Sequence, residues 1–373
     1  MRIAFYVSGM ANGGAERTMA NIANYMASKG HEVIMVNVYR TEGEYELLPS
    51  IKREICEPKD EELQGSRVHN FLARYRRLRE VWTDNKPDVI FSYLGKTNLM
   101  TLMTSRGVKN ERGNRVAVGV GVVGDPKEEY YNTVLKLTAK LLYRKADAVV
   151  LQTHQSESFF PASVIKRSVI MKNPMTPEFD IDRYEGEREK TIVSVGRIDE
   201  NKNHELVIDA FANIAKDYPD WKLIIYGDGE LRDELLKKVE NMGLSGQIKL
   251  PGRINNVAET IKIASVFVLT SNTEGSPNAL IESMMLGLPC ISTDCPCGGP
   301  AELIEDNVNG LLIPVGDVSK MQVCLQKLLN NLQERNRLGI AAAKTRDIYS
   351  PKIVMKEWEN LFTNLENKRN PIK

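Results

Sequence analysis

The chain has 373 residues, of which 42% are hydrophobic and 27% are charged, and its formal net charge at pH 7 is +1. This length exceeds what one hydrophobic core usually supports, so we expect two domains, and the composition excludes disordered and fibrous classes. No apolar run reaches the roughly 18 to 20 residues that span a bilayer, and the N-terminus reads as a strand without a signal-peptide cleavage pattern. We therefore expect a cytoplasmic protein.

The small net charge conceals an asymmetry between the two halves of the chain. Residues 1–173 carry 26 Lys and Arg against 19 Asp and Glu, whereas the remainder carries 24 against 30. A basic N-terminal half indicates an anionic partner, either a membrane surface or a phosphorylated acceptor. The five cysteines show no paired CxxC spacing, which argues against a disulfide framework and against structural zinc.

The N-terminal half alternates between strand and helix patterns. This alternation is typical of βαβ units, and it predicts a parallel sheet. The first turn places Gly13 and Gly14 just before a helix, at the carboxyl end of the first strand. It is either a tight turn or a ligand loop, and it lacks the GxGxxG dinucleotide fingerprint. The predicted strands are 3–8, 32–38, 88–93, 115–120, 148–151 and 168–171, with a first helix at 15–28.

Two further helices of this half, 68–81 and 131–145, combine basic residues with aromatic and aliphatic ones. Each helix has two interpretations. It either docks on anionic lipid headgroups, or it packs an apolar stripe on the core and exposes a solvated basic face.

A linker with Pro174 and Pro177 separates the halves, which predicts domains at 1–173 and 174–349. The following Asp180-Ile181-Asp182 spells a DxD motif, but no strand precedes it, and we interpret it as chance. The segment 350–373 is predicted to be a crossover helix and tail that returns to the first domain through Trp358 and Phe362. The second half repeats the alternation, with strands at 191–195, 222–226, 248–250 and 265–270 and helices at 204–215, 230–241, 257–264, 318–329 and 333–344.

The strand at 265–270 leads into the most informative stretch, 271–282, in which two carboxylates flank a strand-to-helix turn. Ser276 is predicted as the N-cap and Pro277 as the first helical residue. Ala279 stands where a capping-box Glu or Gln would lie, so the first-turn amides of Asn278, Ala279 and Leu280 are expected to be partly free. Free amides at a helix N-terminus attract phosphate. The alternative is that Glu274 and Glu282 are ordinary surface charges around a helix cap.

A second loop, 196–203, follows the strand at 191–195 and therefore reaches the same sheet edge. Arg197 and Lys202 in this loop could supply the roughly two positive charges that a diphosphate needs, without a metal. The alternative is that both are exposed loop cations.

These motifs together resemble the retaining enzymes of glycosyltransferase family 4. The resemblance extends over nearly the whole chain, and its most specific element is the E-x7-E signature from Glu274 to Glu282. It implies a GT-B fold, in which two Rossmann-like parallel-sheet domains face a cleft. The supporting motifs, in the family's order, are Gly13-Gly14-Ala15-Glu16-Arg17, Gly196-Arg197 with Lys202, Gly227-Asp228-Gly229 and Gly310-Leu311-Leu312.

The resemblance also implies a role for each matched residue. Arg197 and Lys202 would hold the donor diphosphate and stabilise the departing nucleotide, and Glu274 would contact the transferred sugar; these three are the predicted catalytic residues. Glu282 would bind ribose hydroxyls. No metal and no cofactor are implied beyond the nucleotide diphosphate sugar, which is a co-substrate. The remaining donor-binding residues implied are Gly13, Gly14, Gly196, Arg253, Ile254, Gly275, Ser276, Pro277, Asn278, Ala279 and Leu280.

One segment departs from the family pattern. Many relatives carry a His or an Arg-Asn pair in the loop that matches 121–126, whereas this chain retains only Asp125 as a polar side chain. The acceptor-side contacts are therefore not assigned. None of the four histidines has motif support for a catalytic role.

The sequence thus predicts a retaining hexosyltransferase that uses a UDP-sugar and a saccharide acceptor, the latter carried on a lipid diphosphate at the inner membrane face. Peripheral membrane contact would come from the basic first domain, and no nucleic acid is expected. Two alternatives remain: a GT-B nucleotide-sugar 2-epimerase, and a catalytically silent nucleotide-sugar-binding protein.

Overall fold

The computed structural model describes residues 1–11 and 13–369, without the side chain of Arg369. The chain divides into two compact units. Unit 1 comprises Met1–Pro174 and the returning segment from Lys352, and unit 2 comprises Met175–Pro351. Each unit is built on its own parallel sheet, as expected for the GT-B fold.

Unit 1 contains a seven-stranded sheet in the order β3-β2-β1-β4-β5-β6-β7, and all of its pairings are parallel. The central strands are buried along their whole length because helices cover both faces of a parallel sheet. The strands are β1 (Arg2–Val7), β2 (Glu32–Asn37), β3 (Lys52–Ile55), β4 (Val89–Tyr93), β5 (Ala117–Gly121), β6 (Ala148–Leu151) and β7 (Ser168–Ile170). The helices are α1 (Gly14–Ser28), α2 (Arg67–Asn85), α3 (Gly95–Thr104), α4 (Pro126–Glu129), α5 (Thr133–Leu142) and α6 (Ala162–Ile165).

Unit 2 contains a six-stranded parallel sheet in the order β10-β9-β8-β11-β12-β13. Its central strand, β11, is buried at every position, as its apolar, β-branched sequence predicts. The strands are β8 (Glu189–Val195), β9 (Lys222–Tyr226), β10 (Ile248–Gly252), β11 (Ala264–Leu269), β12 (Cys290–Asp294) and β13 (Leu311–Pro314). The helices are α7 (Glu205–Ala212), α8 (Arg232–Asn241), α9 (Val257–Ile261), α10 (Asn278–Met285), α11 (Gly299–Leu303), α12 (Val318–Asn330), α13 (Leu332–Ala343) and α14 (Arg346–Tyr349).

The last helix, α15 (Pro351–Arg369), returns to unit 1, as the sequence predicted, and the end of the predicted tail, 370–373, lies outside the described residues. Phe362 lies edge-on to Phe5 and Phe91, with ring centroids 5.4 Å and 5.5 Å away. Trp358 is fully buried, and its indole N–H donates to the Lys172 carbonyl at 2.9 Å. The helix therefore completes the core of unit 1 rather than forming a separate tail.

The DxD residues of the linker have structural partners within unit 2. Ser350 donates to the Asp180 carboxylate at 3.0 Å, and Arg346 forms an ion pair with Asp182 at 3.2 Å. Over residues 1–11 and 13–369, no group of three or more His, Cys, Asp and Glu side chains is arranged to hold a metal ion. In the same part of the chain, no helix combines the length and the apolar character that crossing a bilayer requires.

Candidate active site

The site residues predicted in unit 2 all follow strands of its sheet at the carboxyl edge. Gly196, Arg197 and Lys202 follow β8, Arg253 and Ile254 follow β10, and the segment 274–280 follows β11. Because β8 and β11 are neighbouring strands, their two loops lie side by side. This edge is where open α/β sheets bind ligands.

Lys202 and Glu274 form a direct ion pair between these two loops, through Lys202 Nζ and Glu274 Oε1. The hydroxyl of Ser271 donates to the same carboxylate oxygen at 2.6 Å. Both charged side chains are largely buried, with 19% of Lys202 and 11% of Glu274 exposed. A partly desolvated, charge-assisted pair of this kind holds both groups in fixed positions. Sequence reasoning assigned the two residues to different parts of a donor, whereas the structure joins them.

The backbone around this pair is fixed by a polar network between the β8 and β11 loops. Asn201 accepts from the Thr273 amide at 3.1 Å and donates to the Thr273 carbonyl at 3.2 Å. The Thr270 hydroxyl donates to the Lys202 carbonyl at 2.7 Å. The Glu274 amide donates to the Pro296 carbonyl at 2.7 Å, which ties the turn to the loop after β12. The site is therefore a pre-organised arrangement of three loops.

Arg197 is the most exposed of the predicted catalytic residues. Its side chain is 64% exposed and lies 3.3 Å from Asp199, so it is available to a ligand at this edge. Its carbonyl is held by buried His204, whose Nε2 lies 3.1 Å away. Burial lowers the pKa of His204 to about 4, so the ring is neutral at physiological pH. A carbonyl can only accept, so Nε2 carries the proton and Nδ1 accepts from Ser194 Oγ at 3.3 Å.

The start of α10 corrects two details of the prediction. The helix begins at Asn278 and its N-cap is Pro277, not Ser276, because Pro277 has φ −75° and ψ 91° and is still extended. Pro277 itself has no side-chain hydrogen bond with which to cap the helix. The amide of Leu280 was expected to be partly free, but it donates to the Pro277 carbonyl at 3.0 Å and closes a tight first turn. The helix nevertheless begins four residues after Glu274, at the sheet edge where the sequence predicted an anion.

Two backbone segments approach so closely behind this turn that only glycine fits. A Cβ on Gly299, the first residue of α11, would lie 1.7 Å from the Gly275 carbonyl oxygen. The Gly299 amide donates to the Glu274 carbonyl at 3.2 Å. The absence of a side chain at Gly299 thus permits the contact that supports the Glu274–Gly275 turn.

Glu282 lies in the second turn of α10 and is only 4% exposed, so it is not the surface charge of the alternative interpretation. Arg253 and Ile254 follow β10, the edge strand on the other side of β9. The contact of Glu282 with the ribose stays a prediction, as does donor binding by Arg253 and Ile254. The contacts of Ser276, Asn278 and Ala279 with a phosphate also stay predictions.

The remaining predicted residues, Gly13 and Gly14, lie in unit 1. Gly13 is the N-cap of α1 and Gly14 is its first residue, and Asn12 before them lies outside the described residues. The Glu16 carboxylate lies directly against Gly13: a Cβ added at Gly13 would be 1.7 Å from Glu16 Oε2. The approach of this loop to a donor stays a prediction.

In the loop after β5, Asp125 is the only polar side chain that the sequence retains, and its role in the structure is to cap a helix. The Asp125 carboxylate accepts from the Lys127 amide at 2.8 Å and caps α4. Sequence reasoning missed a second carboxylate, that of Glu129. Its Oε1 accepts from the Val123 amide at 3.3 Å, and its Oε2 is buried beside Gly95. Burial raises the pKa of Glu129 to about 8, with a smaller contribution from Asp125.

Two sequence models of known protein families match the chain. A sequence model described as "Glycosyltransferase Family 4" matches residues 12–158, and one described as "Glycosyl transferases group 1" matches residues 177–345. Between them, the two matches cover most of both units. The chain belongs to the glycosyltransferase family that these two models describe.

Relatives of this glycosyltransferase align along their whole length. One is the GalNAc-alpha-(1->4)-GalNAc-alpha-(1->3)-diNAcBac-PP-undecaprenol alpha-1,4-N-acetyl-D-galactosaminyltransferase of Campylobacter jejuni, 27% identical over 98% of this chain and 99% of the relative. Another is the amylovoran biosynthesis glycosyltransferase AmsD of Erwinia amylovora, 23% identical over 97% of this chain and 99% of the relative. The solved structure of Anabaena HepE in complex with UDP superposes with a TM-score of 0.80 at 16% identity, over 98% of this chain and all of HepE. This similarity establishes the GT-B fold.

Proposed function

We propose that this glycosyltransferase transfers a hexose from a UDP-sugar to a saccharide acceptor carried on a lipid diphosphate, with retention of the anomeric configuration. The observation that carries the proposal is the Lys202–Glu274 pair with Ser271, fixed at the carboxyl edge of unit 2, where α10 begins four residues after Glu274. Exposed Arg197 at the same edge adds a second cation.

The charges of this edge match a sugar diphosphate. Arg197 and the α10 terminus offer positive charge for the diphosphate, while Lys202 can bridge it to Glu274. Glu274 then accepts from hydroxyls of the sugar, and buried Glu282 accepts from those of the ribose. A UDP complex of the structural neighbour HepE supports uridine as the base.

In the proposed mechanism, the protein promotes transfer by binding the UDP leaving group and stabilising the charge that develops on it. The bond between the sugar C1 and the diphosphate oxygen breaks as Lys202, Arg197 and the helix terminus stabilise the charge that develops on UDP. The acceptor hydroxyl forms its bond to C1 from the face that UDP leaves, and its proton passes to the departing diphosphate. No protein nucleophile is required in this scheme, and a covalent intermediate on Glu274 is the alternative.

The acceptor and the location are inferred from charge and from the relatives. The Campylobacter relative is named for a saccharide on undecaprenyl diphosphate, which supports an acceptor of the same class. The excess of basic residues in 1–173 suits an anionic surface. We place the enzyme in the cytoplasm, peripheral to the inner face of the membrane, without a nucleic-acid partner. We also propose that transfer needs no metal, because Lys202, Arg197 and the α10 terminus would supply the positive charge that the diphosphate needs.

Donor binding is testable without knowing the acceptor. UDP should raise the unfolding temperature of the protein more than ADP or GDP at equal concentration, because a ligand that binds only the folded state stabilises it. Lys202→Ala should remove most of that shift, whereas Glu240→Gln, an exposed carboxylate near the end of α8, should retain it. An equal shift in the Lys202 variant would contradict the diphosphate assignment.

Transfer itself is tested with individual UDP-sugars, lipid-linked saccharides extracted from membranes and excess EDTA. We expect one donor to give a product whose new linkage has the donor's anomeric configuration by NMR, and Glu282→Ala to reduce its formation at least tenfold. Conversion of UDP-GlcNAc without acceptor would instead indicate a 2-epimerase. Loss of product in EDTA that returns with added Mg²⁺ would refute the metal-free scheme.

A further inference from the structure

Helix α5 of unit 1 exposes an apolar face. Val134, Leu137 and Leu141 are 73%, 65% and 61% exposed, and Tyr131 just before the helix is 70% exposed. Their spacing of three and four residues places them on one side of α5, while Ala139 and Leu142 on the other side are buried in the core. A row of four large apolar side chains in solvent is unusual for a surface helix, which normally buries such a stripe.

A basic groove lies at the C-terminal end of α5. The groove has a volume of about 530 Å³. Its cationic lining residues are Arg115, Arg144, Lys145, Arg167 and Lys368, and the one acidic residue in its wall is Asp147. Among the described residues, none of the five cations forms an ion pair; Arg167 and Lys368 donate only to backbone carbonyls. Five cations around one concave surface attract an anion.

The other basic helix predicted from the sequence, α2, differs from α5 in that carboxylates pair with some of its cations. Arg74 pairs with Glu57 at 2.8 Å, and Arg77 pairs with Glu80 at 3.5 Å. Arg79 donates to the carbonyls of Thr104 and Arg106. Carboxylates therefore neutralise part of the charge of α2, whereas none pairs with the five cations of the groove among the described residues.

We infer that the exposed face of α5 inserts into the surface of a bilayer and that the basic groove binds the phosphate of an anionic phospholipid headgroup. An amphipathic helix with cations at its border lies in the membrane plane in this way. The inference rests on the membrane contact in the proposed function. It assigns that contact to a defined site, whereas the proposed function invoked only a general attraction between the basic residues of 1–173 and an anionic membrane.

The direction of α5 determines which edges of the unit 1 sheet a bilayer would reach. The helix runs antiparallel to the strands, so its first residues lie near the carboxyl edge of the unit 1 sheet and its last residues near the amino edge. Its ten residues rise about 15 Å. A bilayer on this face would therefore reach from the basic groove to the loop that contains Val123 and Asp125, the segment that departs from the family pattern.

Vesicle co-sedimentation tests the inference on the full-length protein. Wild type should bind vesicles of phosphatidylcholine mixed with phosphatidylglycerol about tenfold or more tightly than vesicles of phosphatidylcholine alone. Arg144→Glu with Lys145→Glu should abolish that preference. Val134→Asn with Leu137→Asn and Leu141→Asn should weaken binding to both kinds of vesicle, by about tenfold or more.

Matched variants in unit 2 control for charge and for apolar exposure. Lys216→Glu with Lys237→Glu changes two exposed lysines, and Leu332→Asn with Ile340→Asn removes two exposed apolar side chains. Both should bind vesicles as wild type does. Unfolding temperature and its shift with UDP should be unchanged in every variant, so a failure of donor binding is separate from a failure of docking.

Three outcomes would overturn the inference. The first is equal binding of wild type to the two kinds of vesicle, and the second is wild-type binding by the α5 variants. The third is release of vesicle-bound protein by millimolar inorganic phosphate at constant ionic strength, which would show that the groove takes free phosphate rather than a headgroup. A protein docked by α5 should stay bound in phosphate.

Discussion

Lys202 and Glu274 lie 72 residues apart in the sequence and share one ion pair in the structure. The sequence identified both residues from their spacing to other motifs, but it could not join them, because the contact depends on β8 and β11 being neighbours. Ser271 and His204 were missed for the same reason: a serine at a strand end and a lone histidine have no signature until the fold supplies Glu274 and the Arg197 carbonyl.

A double-mutant cycle should reveal the coupling of this pair. Lys202→Met leaves the largely buried Glu274 carboxylate without its cation, and we expect it to cost about 2 to 3 kcal/mol of unfolding free energy. Glu274→Gln should cost a similar amount. The double variant should be more stable than the sum of the two losses implies, by about 1 to 3 kcal/mol, in urea unfolding. Additive losses would show that the pair is not energetically coupled.

The raised pKa of Glu129 makes the free energy of unfolding depend on pH, and it determines the sign of that dependence. The folded protein keeps a proton on this carboxyl up to about pH 8, whereas the unfolded chain loses it near its ordinary pKa of 4.5. Stability from this group is therefore present at low pH and is lost as the pH rises through that window. Glu129→Gln is always neutral, so it should lose less stability than wild type between about pH 6 and about pH 9. Urea unfolding at the two pH values measures this, and equal losses would contradict the assignment.

At the scale of elements, the sequence predicted the strands that are apolar and β-branched, such as β1, β4 and β11. It missed β3, whose sequence Lys-Arg-Glu-Ile is charged because this strand lies at the sheet edge. It missed β12, which is rich in Cys, Ser and Thr, and α3, which begins Gly-Lys-Thr-Asn. Neighbouring elements bury β12 and α3, and β3 forms by pairing with β2. Single-sequence patterns carry little of that information.

The junction of α11 with the Glu274 turn is an element-scale test of the site. Gly299→Ala would place a Cβ against the Gly275 carbonyl, so we expect the turn to shift and the UDP-induced rise in unfolding temperature to fall by more than half. Gly246→Ala is the matched control, since no heavy atom lies within 4 Å of a Cβ there. A Gly299 variant that binds UDP as the control does would show that the turn is not needed for donor binding.

At the scale of the whole molecule, unit 1 depends on a helix that follows unit 2 in the chain. Trp358→Ala removes a fully buried side chain from the junction of α15 with Phe91, and it should cost about 3 to 5 kcal/mol. Ile353→Ala on the exposed side of the same helix should cost less than about 1 kcal/mol. Urea unfolding by circular dichroism compares the two. A small loss at Trp358 would mean that α15 is not part of the unit 1 core.

The return of α15 also determines when unit 1 can finish folding during synthesis. The chain leaves unit 1 after Pro174 and re-enters it at Lys352, so all of unit 2 is translated between the two. At roughly 5 to 20 residues per second, the aromatic face around Phe5 and Phe91 waits for roughly 10 to 35 s before Trp358 and Phe362 exist to cover it. During that interval the nascent chain presents an open apolar sheet face, the kind of surface that chaperones recognise.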